Sequence, residues 1–195
     1  MIGLSRIGNV VRTTRETKVE ARVEIDGTGK TEVKTTIPFL DHLLVTLATH
    51  SLTDIQVDAS GDLAHHVVED VAITLGEAMS KALGDRDGIT RFGWALVPMD
   101  DALALASVDL ARRPFSSVDF KITNASIEGL KSEDVVHFVK SLTTSLEACL
   151  HLRVQYGEND HHNIEAAFKA LALSLRQACT IDTRRSGPPS SKGAV

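Results

Sequence analysis

Alternating apolar and polar residues predict strands at the beginning of the chain. Apolar residues alternate with charged ones from Lys18 to Ile25, within a strand-like region that runs from Arg6 to Thr36. An Asp-Gly-Thr-Gly sequence at 26–29 follows this alternation. Because Asp and Gly favour tight turns, we expect a β-hairpin at that point.

Helical spacing and one further alternating run complete the first half of the chain. Pro38 begins a stretch in which apolar residues recur at helical spacing as far as Leu52, and alternation returns from Ile55 to Ala59. A second helix is expected from His65 to Leu83. The predicted order is therefore strand, strand, helix, strand, helix.

The second half repeats this order. Strands are expected at 102–110, 115–122 and 152–156, helices at 133–149 and 161–178, and a strand-like bridge at 91–98. The pattern predicts an α+β fold in which one domain, 1–195, contains two similar halves, about 1–90 and 91–182. Proline and serine are frequent in the remaining segment, 183–195, which is expected to be a flexible tail.

A histidine motif is duplicated together with the secondary structure. The segment from Ser60 to Glu69 matches the segment from Tyr156 to Glu165, 96 positions later, and both contain Gly, an acidic residue, His-His and Glu in the same order. A lone histidine, His42, precedes the first copy by 23 residues, and His137 precedes the second by 24. Six of the eight histidines therefore follow one internal repeat.

The repeated residues are ligands that divalent transition-metal ions prefer. In each copy a histidine and a glutamate four positions apart share one helix face, whereas calcium and magnesium would favour oxygen ligands alone. We predict that two metal ions are bound by His42, His65, His66, Glu69, His137, His161, His162 and Glu165. Adjacent histidines on a helix point in different directions, so the two members of each pair are expected to bind different ions.

The two remaining histidines lie outside the repeat. His50 follows His42 by about two helical turns, and its position leaves open whether it lines the site or packs inside the fold. His151 begins a strand-like run and is expected to be structural.

Composition and charge exclude several classes of partner. The formal net charge is −5, which offers no general attraction to nucleic acid or to an anionic membrane. No run of eighteen apolar residues and no signal peptide is evident, and the two cysteines form no CxxC motif. We therefore expect a cytoplasmic protein with reduced thiols and neither nucleic acid nor membrane as partner.

The chain resembles the imidazoleglycerol-phosphate dehydratase family in five segments, which together span most of its length. They are Phe-Leu-Asp-His-Leu-Leu at 39–44, His-His-Val-Val-Glu-Asp at 65–70, Pro-Met-Asp-Asp-Ala-Leu at 98–103, Arg-Pro at 113–114, and Gly-Glu-Asn-Asp-His-His-Asn-Ile-Glu-Ala-Ala-Phe-Lys-Ala at 157–170. The resemblance implies a hydro-lyase of L-histidine biosynthesis that converts D-erythro-imidazoleglycerol phosphate to imidazoleacetol phosphate and water. It further implies a ribosomal protein S5 domain 2-like fold, two Mn²⁺ ions per active site, and a homo-oligomer of 24 subunits with active sites at subunit interfaces.

The resemblance also assigns roles to individual residues. The family's metal ligands fall on the same eight positions that the repeat selects. Its substrate-binding positions correspond to Glu16, His42, His50, His65, Glu69, Arg91, Arg113, His161, Lys169, Ser191, Lys192 and Gly193, and its catalytic positions to Glu16, His42, Glu69 and Glu165. Many members have an Asp-Asp pair before the first His-His, where this chain has the shorter Gly-Asp-Leu-Ala at 61–64, so the groups that support His65 and His66 are left unassigned.

These roles suggest an elimination that uses the imidazole ring of the substrate. By this hypothesis the ring binds one metal and becomes an imidazolate, expels the C3 hydroxyl to give a diazafulvene, and then loses the C2 proton to Glu16. Arg91, Arg113, Ser191 and Lys192 would hold the phosphate, with the tail folded over it. Two alternatives are a non-catalytic metal-binding shell, which would need no phosphate clamp, and a dinuclear phosphate hydrolase, which would prefer carboxylate-rich ligands.

Overall fold

The computed structural model describes residues 5–193, in which two similar sets of strands and helices follow one another. The first half contains β1 (Ile7–Thr13), β2 (Thr17–Glu24), β3 (Thr31–Lys34), α1 (Pro38–Ser51), β4 (Asp54–Gly61) and α2 (Ala64–Leu83). The second contains β5 (Phe92–Met99), β6 (Ala102–Asp109), β7 (Phe115–Asp119), the short strands β8 (Ser126–Ile127) and β9 (Leu130–Lys131), α3 (Ser132–Ser145), β10 (Cys149–Tyr156) and α4 (Asp160–Cys179).

Each half forms a four-stranded sheet with the same arrangement. The strand order is β1-β2-β4-β3 in the first sheet and β5-β6-β10-β7 in the second. In both sheets the first three strands in this order are antiparallel neighbours, and the last strand runs parallel to its neighbour. The predicted α+β fold and its duplication are confirmed. Each four-stranded sheet has one more strand than the three predicted for its half. In the second sheet the additional strand is the expected bridge at 91–98, which is β5.

The β-hairpin predicted at 26–29 is wrong. The hairpin of the first half joins β1 to β2, and the Thr14 amide donates to the Thr17 carbonyl across its turn at 2.9 Å. Residues 26–30 instead lead to β3 at the far edge of the sheet, where the Asp54 carboxylate accepts hydrogen bonds from two backbone amides of this loop. Alternation identifies the residues that face the core, but it does not identify the partner of a strand.

The helix predicted at 133–149 ends four residues early, at Ser145. Glu147 has a φ of +55°, a left-handed conformation that an α-helix cannot contain. Cys149 then begins β10. The apolar residues after Ser145 continue the helical spacing in the sequence, but they belong to the turn and to the next strand.

The helices lie between the two sheets and join the halves. Helix α2 packs on β1 and β2, and α4 packs on β5 and β6. Between the halves, α1 contacts α4 and α2 contacts α3. One hydrophobic core includes residues from both halves, among them Leu44, Val71, Phe138 and Phe168. This packing brings helices of different halves side by side, each carrying part of the histidine repeat. Within residues 5–193, no helix has the length and hydropathy needed to cross a bilayer.

Two candidate metal sites and a cationic pocket

The first ligand group lies at the N-terminal ends of α1 and α4, which belong to different halves. His42 of α1 meets His161 and Glu165 of α4, with one donor atom of each within 4.8 Å of the others. The Nε2 atoms of both histidines lie 3.2 Å from Glu165 Oε2. His161 and Glu165 are four residues apart, so their side chains leave α4 on the same face.

The second ligand group repeats this arrangement on the other pair of helices. His65 and Glu69 of α2 meet His137 of α3, again with donor atoms within 4.8 Å of one another. The Nε2 atom of His137 lies 3.4 Å from Glu69 Oε1. Each group therefore combines the lone histidine of one half with the His-x-x-x-Glu sequence of the other half.

The second histidine of each pair belongs to neither group. His66 Nδ1 lies 2.8 Å from Asp62 Oδ1 and 3.7 Å from Glu16 Oε2, whereas His162 Nδ1 hydrogen-bonds with the Asp101 carboxylate. These hydrogen bonds raise the pKa of both imidazoles and lower the pKa of Asp101. In both rings Nδ1 has a carboxylate partner, so Nε2 is the nitrogen left to bind a metal ion.

Carboxylates that the sequence analysis did not identify orient the ligand histidines. The buried Asp134 of α3 lies with Oδ1 2.6 Å from His65 Nδ1. Asp62, in the short segment at 61–64, orients His66. The histidine pair of α2 is therefore oriented by Asp62 of its own half and by Asp134 of the other half. Asp101 lies within the segment at 98–103 that carries the family resemblance, whereas Asp134 offered no comparable signal.

The donor chemistry of both groups fits a divalent transition-metal ion. Two imidazoles and one carboxylate converge in each group, a combination that suits Mn, Fe, Co or Zn. A carboxylate on the Nδ1 atom of a metal-binding histidine is a common arrangement, because it fixes the ring and raises the basicity of Nε2. These residues could hold one ion per group.

Lys169, a predicted substrate contact, lies beside the first ligand group. Lys169 Nζ is 2.9 Å from Glu165 Oε1. Burial opposes ionisation of Glu165, but hydrogen bonds from Lys169 and His42 outweigh it and lower the pKa of this carboxyl. His50 is in the last turn of α1, and its pKa is lowered by partial burial and by the positive charge of Lys169. Besides burial, the charges that act on this pKa are those of Lys169 and Glu165.

The predicted phosphate contacts meet in a separate pocket. Arg91, Arg113, Ser191 and Lys192 line a cavity of about 570 Å³, together with Arg112 and other neighbours. The Asp109 carboxylate accepts two hydrogen bonds from the Arg91 guanidinium, at 2.6 and 3.0 Å, and holds it in place.

The described part of the C-terminal tail forms one wall of this pocket. Arg91 Nη1 donates to the Pro189 carbonyl at 3.0 Å. The amide of Gly193 donates to the Ser190 carbonyl at 3.1 Å and closes a turn around Ser191 and Lys192. The last two residues of the predicted tail, 194–195, lie outside the described residues.

The pocket and the first ligand group lie at opposite ends of α4. The Arg91 amide donates to the carbonyl of Ala178, in the last turn of this helix, whereas His161 is in its first turn. At 1.5 Å of rise per residue, these two ends of α4 are ~25 Å apart. No arginine side chain reaches across that distance, so this pocket cannot hold the phosphate of a substrate bound at the first ligand group of the same subunit.

Comparison with known proteins identifies the family. The model of the family described as imidazoleglycerol-phosphate dehydratase matches residues 35–175. A relative of that name from Clostridium botulinum (strain Langeland) is 45% identical over 192 residues, covering 97% of this chain and 98% of the relative. Another, from Methanothermobacter thermautotrophicus, is 48% identical over 187 residues, covering 94% of this chain and 95% of the relative.

Solved structures of this family have the same fold. The structure of imidazoleglycerol-phosphate dehydratase from Staphylococcus aureus matches with a TM-score of 0.83 and 29% identity, covering 90% of this chain and 99% of that one. The Pyrococcus furiosus enzyme matches with a TM-score of 0.82 and 38% identity, covering 95% of this chain and 100% of that one. The chain belongs to the imidazoleglycerol-phosphate dehydratase family, lyases that catalyse the dehydration step of histidine biosynthesis.

Proposed function

We propose that this protein converts D-erythro-imidazoleglycerol phosphate to imidazoleacetol phosphate and water, with two Mn²⁺ ions in each active site. The main support is the pair of ligand groups, each formed by two imidazoles and one carboxylate from different halves. We assign the ions to the eight repeated ligands. When bound, the ions would act as Lewis acids that stabilise negative charge on the imidazole ring of the substrate.

Glu16 is the proposed general base. Its carboxylate lies in the turn between β1 and β2, 3.7 Å from His66 Nδ1, and so beside a proposed metal ligand. The bond between C3 and the hydroxyl oxygen would break first, with the departing hydroxide taking a proton from a neighbouring carboxyl or imidazolium group to leave as water. Glu16 would then accept the proton from C2. The resulting enol becomes the ketone by proton transfer to C3.

Three cations and a hydroxyl group are proposed to hold the phosphate. Arg91, Arg113 and Lys192 share one cavity with Ser191, and guanidinium groups match phosphate oxygens in geometry and charge. The ion pair with Asp109 keeps Arg91 extended towards this cavity. The Arg91 guanidinium also donates to the backbone carbonyl of Pro189, which supports the proposal that the tail folds over the bound phosphate.

Residues around the first ligand group are proposed to contact the rest of the substrate. Lys169 lies beside Glu165 and presents a hydrogen-bond donor to this site, and His50 follows His42 on the same helix. Besides binding metal, His42, Glu69 and Glu165 would orient the reacting part of the substrate, with His65 and His161 beside it. Gly193 would contribute backbone contacts next to Lys192.

We further propose that each active site is built from several subunits of a 24-subunit assembly. The ~25 Å between Arg91 and His161 along α4 supports this, because the phosphate pocket is then too far from the first ligand group of its own chain to share a substrate with it. His66 and His162, which belong to neither group, would complete the metal coordination of a neighbouring subunit. Phe92, Trp94 and Leu96 form an exposed apolar stripe on β5, a surface suited to contact with another subunit.

Two further predictions from the sequence complete the proposal. The packing of α1 on α4 and of α2 on α3 supports a single domain made of two halves, with the segment 183–195 as its tail. The cytoplasmic location remains a prediction from the sequence.

The test is to incubate manganese-loaded protein with imidazoleglycerol phosphate and to follow the ketone product spectroscopically. We expect ketone formation without release of inorganic phosphate. Release of phosphate without the ketone would instead indicate a dinuclear hydrolase. Protein stripped of metal by a chelator is the control, and turnover that persists without metal would contradict the role of the ions.

A further inference from the structure

The two ligand groups are related by duplication, but their surroundings differ at two equivalent positions. Three residues before the lone histidine, α3 has Asp134 where α1 has Phe39. Four residues after the ligand glutamate, α4 has Lys169 where α2 has Ile73. Both differences make the surroundings of the second ligand group more negative than those of the first.

Asp134 adds negative charge to the group formed by His65, Glu69 and His137. Its carboxylate is 2.6 Å from His65 Nδ1, and its side chain is only 2% exposed. Solvent therefore screens this charge weakly. A carboxylate on Nδ1 also makes Nε2 a stronger donor to a metal ion.

Phe39 gives the other group no such charge. Its ring centroid lies 5.2 Å from that of His161 and 6.1 Å from that of His42, so this position orients the rings by packing alone. A carboxylate does approach His161 Nδ1, that of Glu128 at 3.6 Å. The Glu128 side chain is 63% exposed, so water screens its charge far more than that of Asp134.

Lys169 further weakens the group formed by His42, His161 and Glu165. Its ammonium lies 2.9 Å from Glu165 Oε1, where it competes with a metal ion for the carboxylate and repels a divalent cation. Ile73, at the equivalent position on α2, carries no charge, so it leaves Glu69 free of this competition.

We propose that the two metal sites are unequal. The site of His65, Glu69 and His137 retains its ion tightly, whereas the site of His42, His161 and Glu165 exchanges its ion readily. Asp134 is the positioning residue responsible for the first property, and Lys169 sets the second. This inference rests on the proposed function, since it takes both groups to be manganese sites.

The test is to measure loss of manganese from the loaded wild-type protein in excess chelator, with the metal content of the protein determined over time. We expect two phases of equal amplitude. Equilibrium titration with Mn²⁺ should give two affinities that differ by about 10–100-fold, the usual effect of a group that supports a metal ligand. Release in one phase with a single affinity would overturn the proposal.

Substitutions assign each phase to a site. Asp134→Asn should weaken the tight site by about tenfold or more and leave the loose site unchanged. Glu133→Gln is the matched control, because it removes the same charge from the same helix turn at a side chain that is 76% exposed. An equal effect of these two variants on the tight site would show that general charge, rather than the contact with His65, is responsible, and would overturn the role of Asp134.

A second substitution tests the loose site without altering a buried residue. Lys169→Met should tighten that site and slow its phase of release, so that the two affinities approach each other. If manganese left this variant at the wild-type rate in both phases, Lys169 would have no role in the difference. The measurements use no substrate, so equal affinities in a protein that forms the ketone would refute this inference alone, whereas absence of ketone formation would refute the proposed function.

Discussion

Glu16 is the residue to which the proposed reaction assigns proton removal. It lies beside His66 and its side chain is 56% exposed, so replacing it should alter neither packing nor metal ligands. We expect Glu16→Gln to lower kcat by about 100-fold or more, because an amide cannot accept the C2 proton, with the manganese content unchanged. Steady-state kinetics and metal analysis of the same samples measure both effects. Glu20→Gln, at an exposed position on β2, should retain normal turnover. Normal turnover in Glu16→Gln would remove this residue from the mechanism.

Asp109 determines how Arg91 is presented to the phosphate. The two side chains form a bidentate ion pair in which both are largely shielded from solvent. Asp109→Asn should free the guanidinium and raise KM by about tenfold, which corresponds to about 1.4 kcal/mol, with a small change in kcat. Asp119→Asn, at an exposed position on β7, is the control. A large fall in kcat with an unchanged KM would contradict this positioning role.

The sequence identified the six residues that meet in the two groups, whereas it did not show that Asp134 would orient His65 or that Asp109 would hold Arg91. The histidines and glutamates can be identified because the same motif occurs in both halves of the sequence. Asp134 meets His65 only because α2 and α3 pack side by side, and Asp109 meets Arg91 only because β5 and β6 pair. Such contacts are long-range and occur once in the chain, so neither periodicity nor spacing indicates them.

At the scale of elements, two equivalent glycines allow helices to lie close to the sheets. A Cβ atom on Gly93 of β5 would overlap the Ser174 carbonyl of α4, and a Cβ atom on Gly8 of β1 would overlap the Ala78 carbonyl of α2. We expect Gly93→Ala to lower the free energy of unfolding by about 1–3 kcal/mol, because α4 must move away from β5. Urea denaturation measures this change. Ser107→Ala, on the exposed face of β6 opposite Trp94, is the control, and equal stability of the two variants would contradict the close approach.

The C-terminal tail forms one side of the phosphate pocket, and residues of the second half form the other side. Truncation after Arg185 removes Pro189, Ser191 and Lys192 from the cavity beside Arg91. We expect KM to rise by about tenfold or more, since a cation and several hydrogen bonds to phosphate are lost. A truncation that ends at Gly193 keeps these groups and should retain the normal KM. An unchanged KM in the shorter protein would exclude the tail from substrate binding.

Most elements followed from the hydrophobic pattern, but their pairing did not. Helices α2 and α4 begin and end within one residue of the predicted positions, because long amphipathic runs define them clearly. The strand-like bridge proved to be β5, and the turn at 26–30 leads to a parallel edge strand instead of a hairpin. Pairing depends on which strands the packed helices bring together, a tertiary property that local alternation does not contain.

At the scale of the whole molecule, we predict that the proposed active site combines residues of more than one subunit. The phosphate pocket and the first ligand group lie at opposite ends of α4, ~25 Å apart, too far for one substrate molecule to contact both. Two inactive variants should therefore complement each other. His42→Ala disables a metal group and keeps the pocket, whereas Arg113→Ala disables the pocket and keeps the metal groups.

Co-expression of these two variants tests the shared site directly. In an equal random mixture, half of the pockets and half of the metal groups are intact. If pocket and metal group come from different subunits, about a quarter of the sites combine two intact parts, so about a quarter of wild-type turnover should return. Each variant expressed alone is the control and should be almost inactive. A mixed assembly no more active than the two variants measured separately would mean that each subunit builds its own site. In that case the pocket beside Arg91 would not bind the phosphate of a substrate held at the first ligand group, since it cannot reach that group in its own chain.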